Sequence, residues 1–268
     1  MPVALLRSSL LSVPHGFPRR EGGVSPPPFQ GLNLGGSTGD APAHVEANLR
    51  ALAAAGGFPT GRLHTVSQVH GDRVVEAPEL DGDDGALRPA FTEADGLYSL
   101  REGDVLGVRV ADCIPLLVEA PDVRAVAAVH SGWKGTAARI AARAVEALAS
   151  RGARPGALRA CVGPHIRGCC YEVSEELADH FAGAFGPAVV NRGAAGRPHL
   201  DLSAAVCATL EQAGVPRAQV EVLQACTACT PGFFSHRRDG GLTGRHLAFV
   251  AARWPGPKTG TPGAFELS

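Results

Sequence analysis

The chain has 268 residues, 45% of them apolar and 19% charged, with a formal net charge of −1. That balance describes a globular protein with a sizeable core, and it excludes the one-sided basic surface that general binding to nucleic acid or acidic membrane requires. Seven cysteines, an odd number in a chain this long, do not make a disulfide framework; most are expected to be buried small groups and a few to be ligands or nucleophiles.

Val3-Ala4-Leu5-Leu6 is cut short by Arg7, too brief for a secretory signal, and no later run approaches the roughly 18 apolar residues of a membrane span. A cytoplasmic location is the expectation. Residues 14–40, rich in Gly, Pro and Ser, read as loops and short strands, and residues 42–55 as a helix ending at Gly56-Gly57. Leu63 to Val75 mixes β-branched and polar residues around Gln68-Val69-His70-Gly71, and Asp81 to Pro89 reads as an acidic surface loop.

Three apolar runs follow closely: Val105 to Val110, Ile114 to Glu119 and Val123 to Val129, with Ala120-Pro121-Asp122 as a turn. Their nearly continuous apolar character predicts strands covered on both faces. Thr136 is placed to cap a helix with Ile140, Ala144 and Leu148 on its buried stripe, ended by Gly152. Ala160-Cys161-Val162 predicts a strand, Ser174 to Phe185 a helix with Glu175 and Glu176 in its first turn, and Ser203 to Gln212 another helix. Val220 to Leu223 reads as a strand leading to Cys226-Thr-Ala-Cys229. The Pro/Gly/Thr-rich tail reads as disordered. No repeat or linker divides the chain. It is expected to be a single layered α/β domain over residues 1–254, with mixed sheets flanked by helices and a disordered tail over 255–268.

His70, Cys113 and His130 each fall near the end of an expected strand, next to a chain break such as Gly71 or Ser131-Gly132. Strand ends at one sheet edge can converge. Two imidazoles and a thiolate suit Zn²⁺ and leave a fourth position open, as catalytic sites do. The spacing alone is no metal signature, and a buried thiol with two unrelated histidines fits it as well. His130-Ser131-Gly132-Trp133-Lys134-Gly135-Thr136 reads as a strand, a Gly-containing loop and a helix start, suited to an anion or to an ordinary connection. Arg237 and Arg238 follow an aromatic pair, either a phosphate grip or an Arg–Asp surface pair. Cys226-x-x-Cys229 has no second CxxC to complete a four-cysteine site from such pairs, so packing or mild redox sensitivity is expected, and Cys169-Cys170 stays ambiguous. His44-Val45-Glu46 matches half of the zinc deaminase signature, but Pro-Cys-x-x-Cys is missing.

Taken in order, Gly22-Gly23-Val24-Ser25, Leu32-Asn33-Leu34-Gly35, Gln68-Val69-His70-Gly71, Ala94-Asp95-Gly96 and Ala111-Asp112-Cys113 resemble the YfiH-like family. So do His130-Ser131-Gly132-Trp133-Lys134-Gly135, Tyr171-Glu172-Val173, Phe233 to Asp239 and Thr243-Gly244-Arg245. The family is also described as laccase-domain or polyphenol-oxidase-like, and the resemblance spans about Phe17 to Arg253. It implies a layered α/β fold similar to that of certain cysteine-dependent toxin deamidases. It places a metal triad on His70, Cys113 and His130. It implies phosphorolysis of adenosine, inosine, guanosine and methylthioadenosine with phosphate, plus deamination of adenosine, with zinc as cofactor.

A carboxylate must carry the proton in deamination, and Asp112 is the first candidate, Asp95 the second. Ser25, Asn33, Lys134 and Arg238 are the candidates for polar contacts to substrate. Lys134 stands where some members carry Arg, which keeps the charge and loses the fork. The alternatives are a copper-dependent polyphenol oxidase, a metal-free Cys-His hydrolase in which His130 activates Cys113, and a peptidoglycan-editing factor whose metal only stabilises the fold. A copper site of the electron-transfer type often has an axial methionine, and Met1 is the sole Met of the chain.

Overall fold

In the computed structural model, residues 2–78, 92–192 and 196–252 are described. The expected acidic loop over 81–89 and the expected tail over 255–268 lie outside them.

Two mixed sheets lie face to face. The five-stranded sheet runs in the order Leu5–Leu6, His15–Pro18, His246–Ala251, Val105–Val110, Leu63–Thr65, antiparallel except for its last pair. The six-stranded sheet runs Val220–Val222, Arg159–Val162, Ile114–Ala120, Ala125–Ser131, Gly96–Ser99, Val74–Glu76, with parallel pairs at both edges and antiparallel pairs between.

Residue parity assigns each face. Leu106, Val108, Leu117, Val126 and Ala128 point into the layer between the sheets, with Ala248 and Val250. Leu116, Val118, Ala127 and Val129 point the other way, onto helices Ile140–Ala149 and Leu202–Gln212. Val105, Leu247 and Phe249 cover the outer face of the five-stranded sheet and pack on Val45, Leu49 and Leu52 of helix Pro42–Gly56. The layers therefore run helix, sheet, sheet, helices, and the near-continuous apolar strands are explained by burial on both sides.

The helix ends follow capping chemistry. Gly57, at φ 73°, closes the first helix; the Ser174 hydroxyl accepts from the Leu177 amide, and Asp201 caps the last helix. The expected cap at Thr136 is corrected. Thr136 lies inside a short helix, Trp133–Ala137, with its hydroxyl bonded to Ser131. The next helix starts after Arg139, whose φ of 59° breaks the two apart.

Candidate metal centre and its cavity

The site forms where the chain crosses between sheets. Residues 111–113 link Val105–Val110 of one sheet to Ile114–Ala120 of the other, and Asp112 makes the corner with φ 90°. Cys113 thus precedes a strand, while His130 sits at the far end of the antiparallel neighbour, opposite Pro115. His70 is not at a strand end as the sequence suggested. It occupies a bend between Leu63–Thr65 and Val74–Glu76, with φ 63°. Left-handed backbone at non-glycine residues costs energy and tends to gather at functional sites.

One donor atom from each of His70, Cys113 and His130 lies within 4.8 Å of the others. The two imidazoles meet edge to face, with centroids 4.8 Å apart and planes at 87°. Gly132 keeps the space clear: a Cβ there would stand 3.1 Å from Cys113 Sγ and 3.3 Å from His70 Cδ2. Two nitrogens, one soft sulfur and an uncrowded approach fit a metal ion with an open position.

Asp95 organises these ligands from behind. It is fully buried, and its Oδ1 accepts from the His70 amide at 2.9 Å and from His130 Nδ1 at 2.7 Å. Its Oδ2 accepts from the amides of Gly71 at 2.7 Å and Val69 at 3.2 Å. Three successive amides form a nest for the carboxylate, which bends the His70 loop into place. The Nδ1–H bond fixes the His130 tautomer and leaves Nε2 as the ligand atom. Burial opposes ionisation of Asp95, but the His130 and amide hydrogen bonds outweigh it and hold the carboxyl below its usual range.

The same balance appears in the ligands. Burial opposes the Cys113 thiolate, yet the His130 charge and hydrogen bonds from both histidines bring the thiol down to about 6. Burial also opposes a charged His130, and Cys113 and Asp95 together raise it to about 9. The site therefore stabilises a thiolate.

A cavity of about 820 Å³ opens over the ligands. Arg109, Arg237 and Arg245 line it, together with Gln68, Tyr171, Trp133 and the Gly35-Gly36 backbone. Arg109 is held by Leu34 O and by a paired backbone exchange with Gln68. Arg237 lies over the Tyr171 ring at 5.1 Å. Burial and the nearby Cys113 charge push Tyr171 up to about 12, so its hydroxyl remains a donor at neutral pH. Asp112 lines the same cavity, and its two oxygens accept from Thr227 Oγ1 and the Arg237 amide, both at 2.6 Å.

The four residues read from sequence as substrate contacts are placed elsewhere. Ser25 bonds Asp40 and Asn48, and Asn33 bonds Asp40, the Gly35 amide and the Arg245 amide, one layer behind the cavity. Arg238 spends its fork on Thr227 O, Phe233 O and Asp239. Lys134 is exposed and rests over Trp133. Sequence reading missed Arg109, although an arginine inside the apolar run Val105–Val110 was the available signal. His44 is a helix residue bonded to Asp40 and lies outside the metal-competent clusters among the described residues.

The expectation for the remaining cysteines is also corrected. The adjacent pair Cys169-Cys170 supplies what a second CxxC would have supplied, and its sulfurs meet those of Cys226 and Cys229 within 4.8 Å. Among the described residues these two groups are the metal-competent clusters.

Helix–sheet–sheet–helix layers with a metal-competent His-Cys-His edge beneath an arginine-lined cavity define this class of α/β protein. The chain belongs to the family described as multi-copper polyphenol oxidoreductase laccase, whose model matches residues 14–253. It is 43% identical over 92% of its length to a Deinococcus radiodurans protein named purine nucleoside phosphorylase, of which 92% is covered. It is 40% identical over 86% of its length to a Mycobacterium tuberculosis protein of the same name, with 88% of that protein covered. In structure it is similar to the Bacillus licheniformis hypothetical protein YfiH, with a TM-score of 0.86, 34% identity, and coverage of 94% and 97% of the two chains. YlmD from Geobacillus stearothermophilus gives a TM-score of 0.84 at 33% identity, covering 94% and 100%. No helix among the described residues is long and apolar enough to cross a membrane.

Proposed function

We propose that this chain is a zinc-dependent purine nucleoside phosphorylase acting on adenosine, inosine, guanosine and methylthioadenosine, with adenosine deaminase activity. The observation that carries the reading is the Asp95–His130 hydrogen bond, which orients a ligand beside Cys113 and His70 in the wall of a cavity lined by arginines. The named relatives support the substrate class. Zn²⁺ held by His70, Cys113 and His130 would supply Lewis acidity at the substrate's reacting face.

In phosphorolysis an oxygen of phosphate bonds to the ribose anomeric carbon while the glycosidic bond breaks and the base departs with the electron pair. Arg109, Arg237 and Arg245 supply the positive charge that brings the phosphate dianion into the cavity and holds it there. Trp133 and Tyr171 offer flat apolar surface to a purine. The departing base needs a proton, and so does the ammonia released in deamination. Asp112 is our candidate carrier: it lines the cavity, and each of its oxygens accepts one hydrogen bond and has further acceptor capacity. Asp95, with both oxygens doubly engaged, acts as the orienting group instead.

The family description names copper. The donor set of two histidines and one thiolate, without a methionine beyond Met1, favours zinc. One observation supports a second reading: Asp95, His130 and Cys113 stand in the order of orienting group, base and nucleophile in a thiol hydrolase. Alkylation separates the two, because a thiolate held by metal reacts only after a chelator is added, and a free one reacts at once.

The decisive assay follows base release from the nucleoside panel with and without phosphate. Phosphate-dependent release of free purine with formation of ribose 1-phosphate supports the proposal. Release of free base that ignores phosphate, or oxygen uptake with phenols in its place, overturns it.

A further inference from the structure

Cys169 and Cys170 lie in the loop between strand Arg159–Val162 and helix Glu175–Phe185, and Cys226 and Cys229 in the turn after strand Val220–Val222. These segments are about 60 residues apart in the chain, yet all four sulfurs lie within 4.8 Å of one another, and Cys169 and Cys229 stand 3.8 Å apart. Four sulfurs about 2.3 Å from one zinc at tetrahedral corners lie about 3.8 Å apart, whereas a disulfide brings two sulfurs to about 2.05 Å and leaves the other two without a role. Each pair is carried on a closed turn. The Cys170 amide donates to Arg167 O, and the Thr230 amide donates to Cys226 O. The Arg167 amide points at Cys226 Sγ from 3.5 Å, as amides do toward metal-bound thiolates in need of charge balance. Cys226 is buried while Cys169 and Cys229 are exposed, so one side gives an ion access.

We propose that Cys169, Cys170, Cys226 and Cys229 form a second metal site, a closed tetrathiolate site for Zn²⁺ that clasps the two turns together. Its place in the fold says what it stabilises. Thr227, between the two ligands of one turn, donates to Asp112, and its amide donates to His165 O. Tyr171 follows Cys170 directly and lines the cavity under Arg237. The clasp therefore sits behind the cavity wall and fixes two of its members, whatever reaction the cavity performs.

The test is metal content of the full chain purified under reducing conditions without chelator, paired with zinc-edge X-ray absorption. Wild type should carry two zinc ions per chain. Cys113→Ala, with the His-Cys-His site disabled, should keep one, in an all-sulfur shell at about 2.3 Å. The double variant Cys226→Ser, Cys229→Ser should also keep one, now in a mixed nitrogen and sulfur shell, and should melt at lower temperature. Wild-type zinc confined to a mixed nitrogen and sulfur shell, loss of all zinc from Cys113→Ala, or a disulfide among the four cysteines in peptide maps of the reduced preparation would each overturn the proposal, whereas a single zinc in an all-sulfur shell would count only against the His-Cys-His site. The wild-type shell, read with Cys113→Ala, decides the matter even if the double variant does not fold.

Discussion

Replacing Asp95 by Asn removes the charge shared by three consecutive amides and the His130 imidazole, while keeping one acceptor oxygen of the same size in place. Partners of this kind set metal affinity through the ligand they orient, so zinc affinity at the His-Cys-His site should fall about 10- to 100-fold with the fold retained. Competition against a chromogenic chelator measures it, and an unchanged affinity would remove Asp95 from the account. Gly132→Ala probes the same site sterically. Its φ of −77° accommodates alanine, so the only penalty is a methyl group against Cys113 and His70. Zinc occupancy should drop without a matching fall in melting temperature.

The arginines separate by role. Arg245 lines the cavity with Nη1 held by the Thr243 and Gly244 carbonyls, which leaves Nε and Nη2 for the proposed phosphate contact, so Arg245→Lys should lower kcat/KM for phosphate about 10- to 100-fold. Arg238→Lys should leave kinetics near wild type and lower thermal stability, because its donors hold the Thr227 and Phe233 carbonyls. The opposite pattern would return Arg238 to the substrate site that its sequence context suggested.

At the scale of elements, two-sided burial made some strands legible and not others: His246–Ala251, covered on both faces, was not read from the sequence. Val105–Val110 and Ile114–Ala120 match the apolar runs closely, because hydrophobic continuity is what two-sided burial demands. Single truncations at adjacent positions, Leu116→Ala and Leu117→Ala, should each cost about 2–5 kcal/mol although they face different layers. Urea unfolding of the two variants tests this, and a mild effect at either position would mean that one face is open.

Loops were legible only as motifs. That Gln68-Val69-His70-Gly71 mattered could be read, but its bend around the Asp95 carboxylate could not, since a nest depends on a residue 24 or more positions away. The same holds for the cysteines. A CxxC is a local signal, whereas a Cys-Cys pair completing it from another loop appears only once the parallel pairing of Arg159–Val162 with Val220–Val222 brings the following turns together. The structure places the substrate candidates outside the cavity lining for a related reason. Asn33 and Ser25 were read as polar residues free to meet a ligand, yet in the fold they are consumed by a buried network that shapes the Leu34–Gly35 floor.

For the whole molecule, acid sensitivity follows from histidines held neutral. Burial lowers His165 to about 4 and His246 to about 3, so the folded state refuses protons that the unfolded chain takes up below about 6.5. With more protons bound by the unfolded state, stability falls as pH decreases from about 6.5 toward 4, by on the order of 1–2 kcal/mol per histidine. Unfolding midpoints at pH 7 and pH 5 should show the loss, and a flat profile would mean that those rings are charged in the fold.

Layering, sheet edge and cavity meet in one claim: His70, Cys113 and His130 share an ion that phosphorolysis requires. The most direct test follows hypoxanthine release from inosine as Zn²⁺ is returned to chelator-stripped protein. The account predicts a rate that is absent at the start, climbs with zinc, levels off once the three ligands are filled, and disappears when phosphate is left out. Full activity in the stripped protein, or zinc-dependent release indifferent to phosphate, would contradict it.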